Sequence, residues 1–329
     1  MLNEWAQNVG VIVIGRNEGA RLRSCLTSVI GQAQSIVYVD SGSTDDSVGL
    51  ARKLGVDVIK LNMAIPFTAA RARNEGFVRL HASAPDIRYV QFVDGDCELV
   101  KDWLETAALF LDARPDVAVV SGRRRERFPE RSVYNLLCDI EWDTPTGEVN
   151  ACGGDAMMRV DAFERVGGYC ANLIAGEEPE LCVRLRAFGW RVWRMDEEMT
   201  LHDAAILRFA QWWKRSMRGG YAFAQGFSLH GAPPERHYVR ESRSIWFWGL
   251  GIPVAILGAT VWLGPWALVL FLIYLVQIIR LAVGGERGTS ENWARAGFLV
   301  LGKFPEMFGQ MKFLFHRHLG GQSRLIEYK

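Results

Sequence analysis

Residues Val9-Gly10-Val11-Ile12-Val13-Ile14 form an unbroken apolar run. A short run without polar alternation predicts a strand covered on both faces. A helical stretch is expected from about Ala20 to Ile30, then a second strand, Ser35-Ile36-Val37-Tyr38-Val39-Asp40. The strand's end carries Ser41-Gly42-Ser43-Thr44-Asp45-Asp46, which is turn chemistry followed by a helix N-cap. That helix should reach about Leu54, and Val56 to Leu61 reads as a short strand. A helix over Thr68 to His81 and a strand Tyr89-Val90-Gln91-Phe92-Val93 follow, ending at Asp94-Gly95-Asp96. This strand–helix alternation predicts an α/β fold, with a mainly parallel sheet and helices on both faces. Ligands in such sheets gather at the carboxyl ends of strands. Three of those ends carry polar residues: Asn17 and Glu18, Asp40, and Asp94 with Asp96.

The pattern changes after residue 120. Arg123-Arg124-Arg125-Glu126-Arg127 reads as a solvated loop. Gly153-Gly154 opens the apolar piece Ala156-Met157-Met158. A helix around Asp161 to Val166 should stop at Gly167-Gly168, and a second from Glu178 to Phe188 should stop at Gly189. Trp190 to Met195 reads as a strand, followed by a short acidic loop and His202-Asp203.

From Ile245 to Ile279 there is no Asp, Glu, Lys or Arg. About 35 helical residues would rise about 52 Å, against a hydrocarbon core of about 30 Å. One straight span is therefore too long, and Gly264-Pro265 offers a break. The expectation is a helical hairpin over 245–283. Arg236, Arg240 and Arg243 before it and Arg280 and Arg287 after it would keep both ends cytoplasmic. The alternative is a buried core helix pair. Residues 293–316 mix Phe298, Leu299, Phe308 and Phe315 with Lys303, Lys312 and Arg317, the pattern of an in-plane amphipathic helix or of a helix packed on a globular domain.

Composition narrows this further. The 329 residues suffice for one large α/β domain with an appendage. Lys+Arg is 38 and Asp+Glu is 37, a net charge of +1, which argues against nucleic acid as a partner. The N-terminus lacks a basic region followed by a long apolar run, so no signal peptide is expected. The six cysteines form no C-x-x-C pair or Cys/His zinc spacing, so free thiols are expected.

Three clusters could carry chemistry. Asp94-Gly95-Asp96 places two carboxylates one residue apart at a strand end, where they can hold a hard divalent cation against a diphosphate. An acidic turn without metal has the same spacing. Glu177-Glu178-Pro179-Glu180 crowds carboxylates at a helix start. Crowding raises carboxyl pKa values, which suits a general base, but acids also stand at helix starts for the macrodipole alone. His202 is a candidate third metal ligand, although a lone His is usually structural.

Taken in order, these motifs resemble the inverting glycosyltransferases of family 2, which have the GT-A fold. The resemblance covers roughly residues 9–230, read as a catalytic domain with a nucleotide-sugar half, 1–120, and an acceptor half, 121–230. Residues 231–329 are read as a C-terminal membrane region. Val11 to Glu18, including Gly15 and Asn17, is similar to the family's opening strand and turn. Val39-Asp40-Ser41-Gly42-Ser43-Thr44-Asp45 is similar to its "V-D-D/S-G-S-T-D" segment, and Ala72-Arg73-Asn74-Glu75-Gly76 to its "A-R-N-x-G" helix. Asp94-Gly95-Asp96 matches its D-x-D. Gly153-Gly154-Asp155 with Val166-Gly167-Gly168-Tyr169 matches its acceptor segment, and Glu177-Glu178-Pro179-Glu180-Leu181 its "E-D-x-D-L".

The resemblance implies roles. Gly15, Asn17, Glu18, Asp40, Gly42, Arg73, Asp94 and Gly95 would line the nucleotide sugar. Asp94, Asp96 and His202 would hold Mg²⁺ or Mn²⁺. Glu178, or Glu177 beside it, would be the base, although Glu stands at 178 where the family usually has Asp. Gly154, Asp155, Glu180, Trp213, Arg215 and Arg218 would face the acceptor. The processive members' Q-x-x-R-W motif is missing, which implies transfer of one sugar. The expected activity is metal-dependent, inverting transfer from a nucleotide sugar, UDP-linked by preference, to a polyprenyl-linked or glycan acceptor at the cytoplasmic face of the inner membrane. The lipid bilayer would then be a partner. The runner-up acceptor is bare polyprenyl phosphate. A sugar nucleotidyltransferase would want a Gly-rich, basic first loop, which Gly15-Arg16-Asn17-Glu18-Gly19 is not. A non-catalytic scaffold would not need all three acidic clusters.

Overall fold

The computed structural model describes residues 3–319. Contacts divide the chain into two compact units. One holds residues up to Phe128 together with Glu141–Ala205, and the other holds Pro129–Ile140 and residues from Ile206 on.

The first unit follows the apolar pattern closely. A short helix α1 (Glu4–Gln7) precedes β1 (Val9–Gly15), α2 (Ala20–Val29), β2 (Ser35–Asp40), α3 (Ser47–Lys53) and β3 (Asp57–Lys60). Then come α4 (Ala69–Ser83), β4 (Tyr89–Asp94), β5 (Cys97–Leu99), α5 (Trp103–Ala113) and β6 (Val117–Glu126). Helix α6 (Val133–Trp142) leads to β7 (Gly147–Glu148), β8 (Ala156–Arg159), α7 (Val160–Arg165), α8 (Glu177–Ala187) and β9 (Arg191–His202).

The described residues form a nine-stranded sheet in the order β3-β2-β1-β4-β8-β6-β9-β5, with β7 paired to β9. Strands β3, β2, β1 and β4 run parallel, while β8 is antiparallel to both of its neighbours. The sheet is therefore mixed and mainly parallel on its N-terminal side. Val9, Val11 and Val13 pack into one core cluster with Leu22, Leu26 and Trp103; Ile12 and Ile14 pack into a second with Leu80, Phe92 and Phe163. Period-2 alternation sends successive β1 side chains to opposite faces, and both faces are covered, which explains the unbroken apolar run. Thr68 caps α4: its hydroxyl oxygen accepts the Arg71 N–H at 3.1 Å.

Two local expectations change. Arg123–Glu126 is strand, not loop: it closes β6, and Arg123 is buried. The acidic stretch Asp196-Glu197-Glu198 does not break away either, because β9 continues through it to His202. In both places pairing of β6 with β9, from Val117–Arg191 to Glu126–His202, overrides the local preference of charged residues for loops.

The second unit is helical. It contains α9 (Phe209–His230), α10 (Val239–Trp246), α11 (Ile252–Leu263), α12 (Leu272–Val283) and α13 (Thr289–Leu319). A π-helical stretch, Phe247–Gly251, and a 3-10 stretch, Gly264–Phe271, join the middle three. Gly264 takes φ +67° and turns the chain, and the Tyr274 hydroxyl then donates to the Trp248 carbonyl at 2.5 Å. Among the described residues one helical run, Val239–Val283, is long and apolar enough to cross a bilayer. Val261, Trp262 and Trp266 in it are 80–87% exposed, so it is not a buried core pair.

Helix α13 buries Ala296, Val300, Met307 and Phe313 and exposes Phe308, Met311 and Phe315. It crosses α9 closely. A Cβ at Gly220 would strike the Glu306 backbone, and one at Gly309 the Met217 backbone. Small residues that let helix backbones touch are a habit of membrane helix pairs.

Candidate active site

Sheet register brings the polar strand ends together. Gly15 lies beside Asp40, and Ile14 beside Asp94, so β1, β2 and β4 end level. On the other side, β9 sets His202 opposite both Cys97 of β5 and Glu126 of β6.

Arg73 is the hub of the site. It lies near the start of α4 and is 2% exposed. Its guanidinium donates to Asp94 Oδ1 at 2.8 Å and to Glu177 Oε1 at 2.8 Å, and lies 2.9 Å from Glu178 Oε1. Its plane rests over the Tyr169 ring at 5.5 Å. The D-x-D and the acidic start of α8 therefore share one cation, although about 80 residues separate them. Gly154 makes room for this: a Cβ there would sit 2.7 Å from Arg73 Nη2 and 2.8 Å from Asp94 Oδ2.

Arg124 holds the other Asp94 oxygen, Oδ2, at 3.2 Å. Burial works against the Asp94 carboxylate, yet Arg73 and then Arg124 keep it below the ordinary carboxylate range. Asp155 is 1% exposed. Its Oδ1 accepts the Asp94 backbone N–H at 3.0 Å, and its Oδ2 accepts the Thr200 hydroxyl at 3.0 Å. It thus anchors the D-x-D strand end.

Glu178 behaves differently. Burial first, then repulsion from Glu177, pushes its carboxyl up from 4.5 to about 7, with Arg73 opposing. A carboxyl poised there can take up a proton near neutrality. Glu180 is engaged elsewhere: its two oxygens accept both prongs of the Arg184 fork at 2.8 and 2.7 Å, an i,i+4 pair along α8.

Asp96 and His202 are both nearly buried and lie together, Oδ2 to Nε2 at 3.4 Å. On the far side of the ring, Nδ1 lies 3.6 Å from Glu126 Oε2. A carboxylate behind the second nitrogen is the usual backing of a metal-binding histidine. Oxygen and imidazole donors suit a small divalent cation, so this pair fits one. Asp94 is already paired with two guanidiniums, so as a ligand it would share its oxygens between them and the cation. A cleft lined by Arg21, Asp96, Glu98, Arg127 and Asp203 opens beside the pair.

The remaining expected donor residues shape loops. Asn17, at φ +58°, accepts the Thr44 and Asp45 N–H groups at 2.7 and 3.3 Å, while its own N–H donates to Ser43 Oγ. Asp40 Oδ2 accepts the Gly42 and Ser43 N–H groups at 3.1 Å each. Glu18 pairs with Arg21 at 2.7 Å, and the Gly95 N–H donates to the Ile14 carbonyl at 2.7 Å. Trp213, Arg215 and Arg218 belong to the helical unit, on α9, where the Trp213 ring meets Phe209 and Phe308. Sequence reading missed Arg124 and Glu126, which it placed in a solvated run. The signal available was one of spacing: apolar Val117 to Val120 runs straight into that run, and a strand can carry on. All six cysteines carry free thiols.

A mainly parallel sheet flanked by helices, with acids at its carboxyl edge, is the GT-A architecture. Mannosyltransferase PcManGT from Pyrobaculum calidifontis, solved in complex with GDP-Man and Mn²⁺, shares it: the TM-score is 0.58 over 94% of this chain and 88% of that one, at 20% identity. Residues 10–167 match the model of the family described as glycosyl transferase family 2. The succinoglycan biosynthesis protein ExoA of Rhizobium meliloti (strain 1021) is 27% identical over 223 residues, covering 65% of this chain and 66% of that protein's length. Glycosyltransferase AglE of Haloferax volcanii is 23% identical over 234 residues, covering 67% of this chain and 74% of that protein. Residues 10–167, just under half of the chain, form a family 2 glycosyltransferase domain.

Proposed function

We propose that the protein transfers a single sugar from a nucleoside diphosphate sugar to a lipid-linked or polysaccharide-precursor acceptor, with inversion, using a divalent cation. The observation that carries this reading is the shared arginine. Arg73 ties Asp94, at the donor side, to Glu178, a carboxyl pushed up to about 7. A donor-anchoring acid and a proton acceptor thus lie one guanidinium apart, the arrangement a one-step displacement needs.

Asp96 and His202 are the residues that would hold Mg²⁺ or Mn²⁺, with Glu126 fixing the imidazole. Bound there, the cation would offset negative charge on the departing diphosphate. Glu178 takes the proton of the acceptor hydroxyl, and Glu177 keeps its affinity for that proton high. Asn17 and Asp40 hold the 40–45 loop in shape for the nucleoside. The PcManGT complex with GDP-Man and Mn²⁺ supports this donor and metal class through its fold. The relative named for succinoglycan biosynthesis supports an extracellular polysaccharide setting.

The exposed apolar run Val239–Val283 supports attachment to a membrane as a hairpin over 245–283, and the flanking Arg236, Arg240, Arg243, Arg280 and Arg287 support a catalytic unit on the cytoplasmic face. Trp246 and Trp248 near one end of the first leg, and Trp262 and Trp266 at the turn, match the aromatic belts of two bilayer interfaces. A lipid-linked acceptor would explain the tether.

The test is thermal stabilisation of the detergent-solubilised protein by UDP, GDP, dTDP and CMP, each with and without Mn²⁺. One nucleotide stabilising only with metal is expected. Transfer from the matching donor sugar is then tried on bare polyprenyl phosphate and on its glycosylated diphosphate, and the product anomer is read by NMR. Stabilisation by none of the four, or retention at the anomeric carbon, would overturn the reading.

A further inference from the structure

Arg124 stands 30 residues after Asp94, in a stretch whose sequence reads as exposed charge. In the structure its side chain is only 14% exposed and is held on several sides. Its Nη2 donates to Asp94 Oδ2 at 3.2 Å and to Cys97 Sγ at 3.0 Å. Its Nε lies 3.3 Å from Asp155 Oδ2. Its plane lies over the Trp142 ring at 5.0 Å, and that ring meets His202 edge-on at 4.7 Å.

We propose that Arg124 is a positioning residue for donor binding: it holds the second oxygen of Asp94 and so reserves the first for Arg73. This deepens the donor-site reading above and rests on it. A carboxylate has two oxygens, and here each accepts from a different guanidinium, which fixes its rotation. Without Arg124, Asp94 is free to turn both oxygens to Arg73, and two-pronged pairing is the geometry a guanidinium favours. That turn would draw Arg73 away from Glu177 and Glu178 and tilt the D-x-D at the same time. Arg124 is itself well fixed, because the buried Asp155 that it approaches also holds the Asp94 backbone. Lysine could not replace it fully. An ammonium has no planar fork to reach Asp94 and Asp155 from one position, and it stacks less well on an indole.

The control lies next door. Arg125 points away to an exposed pair with Glu198 at 2.7 Å. The experiment uses the full chain in detergent and titrates UDP, GDP, dTDP and CMP, each with and without Mn²⁺, against wild type, Arg124→Gln, Arg124→Lys and Arg125→Gln. Donor and acceptor KM are measured with the matching nucleotide sugar. For Arg124→Gln, nucleotide affinity should fall about tenfold or more, as for loss of one charge-assisted contact and its geometry. The donor KM should rise in step while the acceptor KM stays within about twofold. Arg124→Lys should lie between, and Arg125→Gln should match wild type. A merely structural role would lower the melting temperature yet leave the folded fraction's nucleotide affinity intact.

Folded Arg124→Gln that binds nucleotide within about threefold of wild type overturns the inference alone. If that variant does not fold, Arg124→Lys decides by the same threefold limit. Wild-type protein that binds none of the four nucleotides overturns the donor-site reading, and this inference with it.

Discussion

In the sheet unit Arg73, Asp155 and Glu177 are each 3% exposed or less, whereas in the helical unit Val261, Trp262 and Trp266 are exposed by 80% or more. The first set puts charge where water is absent; the second puts large apolar groups where a water-soluble protein would hide them. Burying an unpaired charge costs several kcal/mol, so the buried ions must satisfy one another, and they do so through Arg73 and Arg124. Among the described residues of the helical unit nothing covers these apolar groups, and a bilayer is the solvent that would make them stable. On the function proposed above, the buried charge serves the chemistry and the apolar surface serves attachment to a membrane.

The sharpest way to break the comparison is at the buried charges. Asp96→Ala should remove turnover and the Mn²⁺-dependent nucleotide stabilisation, while the protein stays folded. Full activity would sink the metal assignment. Glu178→Gln should lower the transfer rate by about 10²- to 10⁴-fold with nucleotide affinity kept, as for loss of a general base. If Glu177→Gln does this instead, the base is the neighbouring residue.

The apolar surface is tested next. Leu257→Lys, in the middle of the first leg and 55% exposed, should cost about 2.5–3.5 kcal/mol of membrane insertion and move protein out of the membrane fraction. An unchanged membrane fraction would argue that the hairpin is not inserted. Gly220→Val should destabilise the helical unit by about 1–3 kcal/mol or more, because the new side chain meets the Glu306 backbone. A thermal midpoint in detergent equal to wild type would show that α9 and α13 do not touch there.

The smallest effect is on pH. Glu178 binds its proton more tightly in the folded protein than in the unfolded chain, so its share of stability falls as pH rises from about 4.5 to about 7. Transfer needs the free carboxylate and should rise as pH climbs through about 7. Glu178→Gln should flatten the stability trend. A rate that is level between pH 6 and 8, with chemistry rate-limiting, would remove Glu178 from the role.

Much of this was legible without the fold. The α/β order through Asp94 follows from apolar runs that alternate with helical stretches, and the D-x-D and the Glu177–Glu180 cluster stand out as motifs. The strand ends at Arg123–Glu126 and at Asp196–His202 were not legible. Each looks polar alone and becomes strand only by pairing with the other. Glu180 looked like part of the acidic site, yet Arg184, four residues on, takes both its oxygens.

Periodicity, turn residues and motif spacing are local properties, readable within a few neighbours, and they were enough to point to the class of enzyme and to its candidate carboxylates. Which cation serves which carboxylate was decided in three dimensions. Arg73 meets Glu177 across 104 positions and Asp94 across 21, while Arg124 meets Asp94 across 30. Such partners are chosen by sheet register and helix placement, and no short-range pattern encodes a register.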